Sequence, residues 1–239
     1  MRQDAAMEIL DGIATTRSIR RYLNEPIPDD VLASIMFSAS RAPSGSNRQQ
    51  FRFIVLRDSA VAQQAKALIG TAARSLWGEK RTNEGYDQGS GAYADSPKAR
   101  MAATMQHYVD NFEQVPVLIL PALIRHHQPN VYEGASIYPA CQNLLLAARA
   151  HGYGGVITIF HYPVDAELRE LLHVPDDVFL AATMTLGKPV GHHGPVRRRP
   201  LNELIFEDGW DHAPAWAIDP PGTQHTQAGP PRPAPDANA

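Results

Sequence analysis

The sequence predicts one α+β or α/β domain followed by a mostly disordered or extended, proline-rich tail, and three observations lead there. The chain has 239 residues with 44% hydrophobic content, the length and composition of one ordinary globular domain. Through residue 212, segments with helical spacing alternate with short β-branched and aromatic runs, and no internal repeat is visible. Seven of the 20 prolines then fall in the last 27 residues, which hold no leucine or valine and offer little to bury against the entropy of ordering a chain. The expected boundaries are therefore 1–212 for the domain and 213–239 for the tail, with Trp216 and Ile218 as candidate anchors at the start of the tail.

Each element has its own reason. Pro28, Asp29 and Asp30 make an acidic first turn, after which Val31, Leu32, Ile35, Met36 and Ala39 share one helical face, and this helix should end near Arg41, before Pro43. Phe51 to Arg57 reads as a strand and Ser59 to Ile69 as a helix. Residues 70–105 are polar and glycine-rich, without periodicity but with scattered aromatics, which suggests a lid or binding loop spanning residues 70–110. Val115 to Leu123 reads as a buried strand. Glu133 to His151 reads as a helix apolar on more than one face, as at a domain centre or a subunit interface. Gly152 to Phe160 and Val178 to Leu186 are expected as strands, with Asp165 to His173 as a helix between them.

Composition also excludes function classes. With 22 basic against 25 acidic side chains the chain has no bulk positive field, so nucleic-acid and membrane-surface binding are not expected. The longest apolar stretch, Val115 to Ile124, is ten residues long and contains two prolines, well short of a bilayer span. The single cysteine, Cys141, reads as a small buried hydrophobe, and with no signal-like opening a cytoplasmic location is expected. No P-loop, GxSxG elbow or HExxH is present. The pairs His126–His127 and His192–His193 point their side chains apart in either helix or strand, so no metal is expected. Gly152-Tyr153-Gly154-Gly155 reads as a helix end and tight turn.

Three polar clusters remain, each rich in groups that grip anions or amide-like edges. They are Thr16-Arg17-Ser18-Ile19-Arg20-Arg21-Tyr22, the run from Ala42 to Phe51 (APSGSNRQQF), and Gly194 to Leu201 (GPVRRRPL). Singly, each arginine run reads as a solvated basic face; together they suggest a phosphate held by guanidinium forks and a heterocycle read by Asn and Gln. RSIRRY, APSGSNRQQFRFIVL, the apolar helix leading into GYGGVITIF, and GKP followed by RRRPLNEL resemble, in order and spacing over residues 13–206, the FMN-dependent nitroreductase family.

That resemblance implies an α+β fold with a central, mainly antiparallel sheet wrapped by helices, in an intertwined homodimer with two FMN molecules at its interface. It places Arg17 and Ser18 at the phosphate and ribityl region and Arg20 near the pyrimidine end of the ring. Thr16 stands where many relatives have another arginine, which gives weight to Arg197 and Arg198 as phosphate ligands. Pro43, Ser44, Gly45 and Ser46 match the loop that passes the flavin, and Asn47 and Gln49 match its polar positions, reaching from the partner subunit. Gln50 and Phe51 depart from the common Pro-Trp pair. Ile157, Thr158 and Ile159 match the segment beside the isoalloxazine ring, where a backbone amide would face N5. The implied activity is two-electron transfer from NAD(P)H through FMN, in a ping-pong cycle, to a small electron-poor aromatic or conjugated acceptor such as a nitroaromatic or quinone. No protein acid, base or nucleophile is needed, since flavin carries the chemistry.

Trp77, Tyr86, Tyr93, His107 and Tyr108 are candidates to stack over that substrate. Within the same superfamily are enzymes that dehalogenate iodotyrosine and enzymes that consume reduced flavin. The former grip their substrate with a Glu, Tyr and Lys trio, and Glu79, Glu84, Tyr86, Tyr93 and Lys98 supply the residue types without the family spacing. A non-catalytic FMN-binding protein, and a tail docking a partner through Pro230-Pro231-Arg232-Pro233, are the readings outside catalysis.

Overall fold

The computed structural model describes residues 7–226, and the chain divides into two compact units, residues 1–194 and 195–239. The first unit is built on a sheet of β1 (Phe51–Leu56), β2 (Val117–Ile124), β3 (Gly154–Thr158), β4 (Val178–Leu180) and β5 (Thr183–Gly187). The strand order is β1-β2-β5-β3, β4 also pairs β2, and every pairing is antiparallel, which selects α+β over α/β. Around it lie α1 (Ile9–Thr15), α2 (Asp29–Ala39), α3 (Ala60–Asn83), α4 (Pro97–Asp110), α5 (Tyr138–Ala150) and α6 (Asp165–Leu172).

β2 shows why helices cover both faces. Successive side chains of a strand point to opposite sides. Val117, Ile119 and Leu123 pack with Leu32, Ile35, Cys141 and Leu144 from α2 and α5, whereas Leu118, Leu120 and Ala122 pack with Ala65, Ile69, Tyr108 and Val109 from α3 and α4. A strand apolar at every position is satisfied only between two helical layers. Cys141 belongs to this core, where burial pushes its thiol up to about 12, so it remains protonated at neutral pH.

Three expected elements are corrected. Residues 70–105 are not an irregular lid, because α3 continues to Asn83 and α4 begins at Pro97, leaving only 84–96 irregular. The buried face of α3 is Ala62, Ala65, Lys66, Ile69, Gly70, Ala73 and Trp77, a regular helical stripe made of small residues that hydrophobic periodicity underweights. Ser96, whose hydroxyl accepts from Ala99 N at 3.0 Å ahead of Pro97 in the first turn, is a helix-start signal that glycine content masked. The strand expected over Val178–Leu186 is two strands. Between the pairs Ala122↔Leu180 and Ile119↔Met184, the three steps along β2 face four along the partner, a bulge at Ala181–Ala182. It falls opposite Pro121, which has no N–H to donate and accepts from Ala181 N at 2.8 Å. Finally, α5 starts at Tyr138 after a 3-10 turn at Glu133–Ser136, with Pro139 in its first turn, and not at Glu133.

The second unit is mostly irregular over its described residues. Arg198 bridges His225, Leu201 N donates to Asp219 Oδ2 at 3.1 Å, and Trp216 Nε1 donates to Glu207 Oε1 at 3.1 Å. The expected change of composition at residue 213 falls inside this unit. Trp216 and Ile218 are 60% and 74% exposed, so the small Ala217 is what this stretch buries. Pro230 to Pro233 lie outside the described residues.

A Cβ on Gly155 would sit 2.5 Å from both the Thr185 backbone oxygen and Leu186 Cδ2. Because the sheet backbone cannot yield, Gly155→Ala should destabilise the chain by about 1–3 kcal/mol, read as a lower midpoint in urea or thermal unfolding.

Candidate functional site

The first polar cluster is held against the β3 side of the sheet by backbone bonds. Ile19 N donates to Gly155 O at 2.9 Å, Leu23 N to Lys188 O at 2.8 Å, and Val190 N to Arg21 O at 3.0 Å. Glycine is required opposite Tyr22, since a Cβ on Gly187 would lie 2.8 Å from its ring. The Tyr22 hydroxyl donates to Ile19 O at 2.6 Å and lies 2.8 Å from Thr185 Oγ1, which is also 2.9 Å from the Tyr108 hydroxyl. Both phenols are pushed above their ordinary range by burial and stay neutral.

Arg20 projects from this segment into an electrically unbalanced place. Its Nε is buried without a hydrogen-bond partner, and no carboxylate among the described residues pairs with it. Burial disfavours its charge and lowers its pKa, with the phenols of Tyr108 and Tyr22 and the charge of Arg17 as smaller influences. With Tyr22, Asn24, His107, Tyr108 and Asn111 it lines a cleft of about 170 Å³. A desolvated guanidinium without a counter-charge is costly unless something anionic arrives. Arg17 and Ser18, on the same segment, are exposed.

The second cluster forms a tight loop just before β1. Ser46, Asn47 and Gln49 all have left-handed backbone, with φ of 52°, 53° and 51°, at a cost of roughly 1–2 kcal/mol each for residues with a Cβ. Ser44 offsets part of that: its carbonyl accepts from Asn47 N and its hydroxyl from Gln49 N, each at 2.9 Å. Ser136, before α5, accepts from Gly45 N at 3.2 Å. Pro43, Gly45, Ser46, Asn47 and Gln49 are exposed. Gln50 Nε2 and Arg48 both contact His126, in a hollow of about 230 Å³ shared with Glu133.

One chain does not gather these parts. The loop leads into β1, at one edge of the sheet, while Arg17, Ser18 and Arg20 lie alongside β3, at the other. Three inter-strand steps of about 4.8 Å separate the edges, roughly 14 Å. Ile157 and Ile159, at the end of β3, are 39% and 64% exposed. In the second unit, the exposed Arg198 donates to Arg197 O at 2.9 Å, and Arg199 is paired with Glu203 at 3.0 Å. Of the five aromatic groups expected over a substrate, two are corrected. Trp77 is 3% exposed, with its indole N–H bonded to Gln106 at 2.9 Å, and Tyr108 is 2% exposed; both are core side chains, Tyr108 at the wall of the cleft beside Arg20. Tyr86 is half-buried against Trp77, while Tyr93 and His107 are exposed. Thr16, Arg149 and His193 went unnoticed as a group; each holds a buried, unpartnered polar atom close to the first cluster, and only the fold brings them together.

A model of the nitroreductase family matches residues 13–188. The chain belongs to the nitroreductase family. Among its relatives is "NADH dehydrogenase" of Thermus thermophilus, 26% identical over 212 residues and covering 85% of this chain and 98% of that one. Iodotyrosine deiodinase of Nematostella vectensis is 24% identical over 202 residues, covering 83% and 74%. A protein of Desulfovibrio desulfuricans, assigned as a nitroreductase and solved in complex with FMN, superposes with a TM-score of 0.62 at 27% identity, covering 85% and 98%. This nitroreductase-family chain has an antiparallel sheet within helices. Among its described residues no helix is long and apolar enough to cross a membrane, and no cluster of His, Cys, Asp and Glu is placed to hold a metal ion.

If Arg20 is kept for a ligand, it should weaken the empty chain. Arg20→Met removes a half-buried, uncompensated charge at similar length, and the ligand-free variant should unfold at a midpoint equal to or above that of the parent. A drop of several degrees would mean that the charge is internally satisfied.

Proposed function

We propose that this chain is an FMN-dependent oxidoreductase that passes two electrons from NAD(P)H to a small electron-poor aromatic or conjugated acceptor, a nitroaromatic or quinone, and that it works as a homodimer. The observation that carries the reading is Arg20, a half-buried cation whose Nε is inaccessible and has no partner. An anionic cofactor edge is the counter-charge it lacks. Bound FMN would supply hydride acceptance and delivery, so no side chain has to act as acid, base or nucleophile.

The chain's own residues then have three tasks. Arg20 offers a fixed positive charge to the pyrimidine end of the flavin and favours the electron-rich form through a low-dielectric wall of Tyr22 and Tyr108. Arg17 and Ser18 would bind the phosphate and ribityl region. Ile157, Thr158 and Ile159 line the ring, where exposed isoleucine side chains exclude water and a backbone amide orients N5.

The separation of Asn47 and Gln49 from Arg17, Ser18 and Arg20 across the sheet supports the homodimer. A second copy can bring its Pro43–Gln49 loop to the β3 edge of the first, which also accounts for a strained loop with no task in its own chain. Exposed Ile9, Leu10, Ile13, Phe37 and Tyr138 supply apolar surface for that association.

A second reading, reductive dehalogenation of an aromatic amino acid, is favoured by one cluster. Lys98 Nζ donates to Glu84 O at 3.2 Å and lies 5.6 Å from the centre of the Tyr86 ring, while burial and Glu84 raise the Tyr86 pKa. A cation, a carboxylate and a phenol thus meet at 84–98, as zwitterion recognition requires.

The purified chain should show flavin absorbance near one FMN per chain, run at twice its 26.2 kDa mass, and bleach on anaerobic mixing with NADH or NADPH. Reoxidation by a nitroaromatic or quinone supports the first reading, and reoxidation only by an iodotyrosine, with iodide release, supports the second. A colourless protein that cannot be reconstituted with FMN rejects both.

A further inference from the structure

The buried side-chain polar atoms without a partner number four among the described residues: Thr16 Oγ1, Arg20 Nε, Arg149 Nε and His193 Nδ1. Two belong to the first polar cluster, and the other two come from elements packed beside it. Arg149, in the last turn of α5, reaches Thr15 Oγ1 through Nη2 at 3.1 Å, next to Thr16. His193 Nε2 donates to Tyr153 O at 3.2 Å, Nδ1 is buried without a well-formed hydrogen bond, and the Thr15 backbone also acts on the ring. Burial lowers the His193 pKa first, the Tyr153 carbonyl opposes this, and the nearby charges of Arg149 and Arg17 lower it further. No carboxylate among the described residues acts on that ring.

Arg149 and Arg17, the two charges that act on the His193 ring, thus lie with that imidazole near the Thr16 hydroxyl, while Arg20 lines a separate cleft with Tyr22 and Tyr108. Mutual repulsion between the cations is tolerable only if an anion completes the site. A tetrahedral phosphomonoester suits it, because guanidinium forks and a hydroxyl bind its oxygens by charge-assisted bonds.

We propose that Arg149, with Thr16, Arg17 and His193, forms the subsite for the terminal phosphate of the cofactor, and that Arg149 supplies from α5 the charge that Thr16 cannot supply from the amino-terminal motif. This rests on the FMN reading above. Within it, Arg149 is a binding residue reached from a helix more than 130 positions away in sequence, and the phosphate is bound from the body of the first unit.

The test compares FMN with riboflavin, which lacks the phosphate, by fluorescence-quenching titration of the full-length chain. The parent should prefer FMN. Arg149→Met should weaken FMN binding between about 10- and 100-fold while changing riboflavin binding less than about 3-fold, and Arg149→Lys should recover part of the loss. Equal weakening of both flavins would make Arg149 a purely structural residue and overturn the subsite, as would unchanged FMN affinity. If the parent binds neither flavin, the FMN reading falls and takes the subsite with it. If the parent binds both equally, the flavin reading stands and the subsite alone falls.

Discussion

The attachment of residues 19–23 to the β3 side of the sheet is the constraint on which the site depends. Backbone bonds from Ile19, Arg21 and Leu23 fix the segment to Gly155, Val190 and Lys188, and Tyr22 locks its middle through Thr185. Neither half suffices alone. Backbone bonds set the register, but the Tyr22–Thr185–Tyr108 hydroxyl chain builds the neutral, dehydrated wall beside Arg20. Requirements on neighbouring positions follow, including the missing side chains at Gly154, opposite Ile19, and at Gly187, opposite Tyr22, and the small Thr185 between two phenols. A guanidinium on an unpinned segment would turn to solvent, and its field would be screened.

Sheet order imposes the second constraint. Because β1 and β3 are opposite edges, the loop that enters β1 and the segment that flanks β3 are as far apart as this sheet allows. Both carry features without a purpose inside one chain: three left-handed residues in the loop, and an unpaired, half-buried cation in the segment. Strain and unpaired charge both oppose folding, and the proposed site completed across two copies would give both a purpose.

Much of the fold was legible where burial is carried by large residues. α2, α6 and β1 follow from apolar spacing and flanking turn residues, and the family motifs run in the order the sheet requires. The same rule failed at α3, whose stripe of alanine and glycine carries little hydropathy although the face is continuous. It failed again at Ala181–Ala182, because a bulge is set by what the partner strand can donate, and Pro121 is distant in sequence. Trp77 illustrates the converse error. An aromatic in a glycine-rich stretch suggested a ligand contact, yet its large surface is what pins α3 to α4 through Gln106. Of the residues in the proposed site, Arg17, Ser18 and Arg20 belong to a sequence motif, whereas Arg149 and His193 are each unremarkable in their own segments and are brought near it only by the fold.

Buried polar groups elsewhere in the first unit show that this fold can satisfy what it buries. Lys66, 1% exposed, donates from Nζ to Val115 O at 2.7 Å. His161, 4% exposed, has both ring nitrogens within 3.0 Å of an oxygen, Thr183 Oγ1 on one side and Leu180 O on the other. Random imperfection in packing would scatter unpaired atoms over such places. Instead the four among the described residues lie in or beside residues 16–20, and three of them are nitrogens of cationic or protonatable groups. Each unsatisfied buried group costs about 1–3 kcal/mol, more if charged, so this clustering is a substantial local burden in a fold with only about 5–15 kcal/mol to lose. Two of the four atoms lie on the segment that the sheet holds still and two on Arg149 and His193 beside it, and no carboxylate acts on Arg20 or His193, as expected of an anion site preorganised before its ligand arrives.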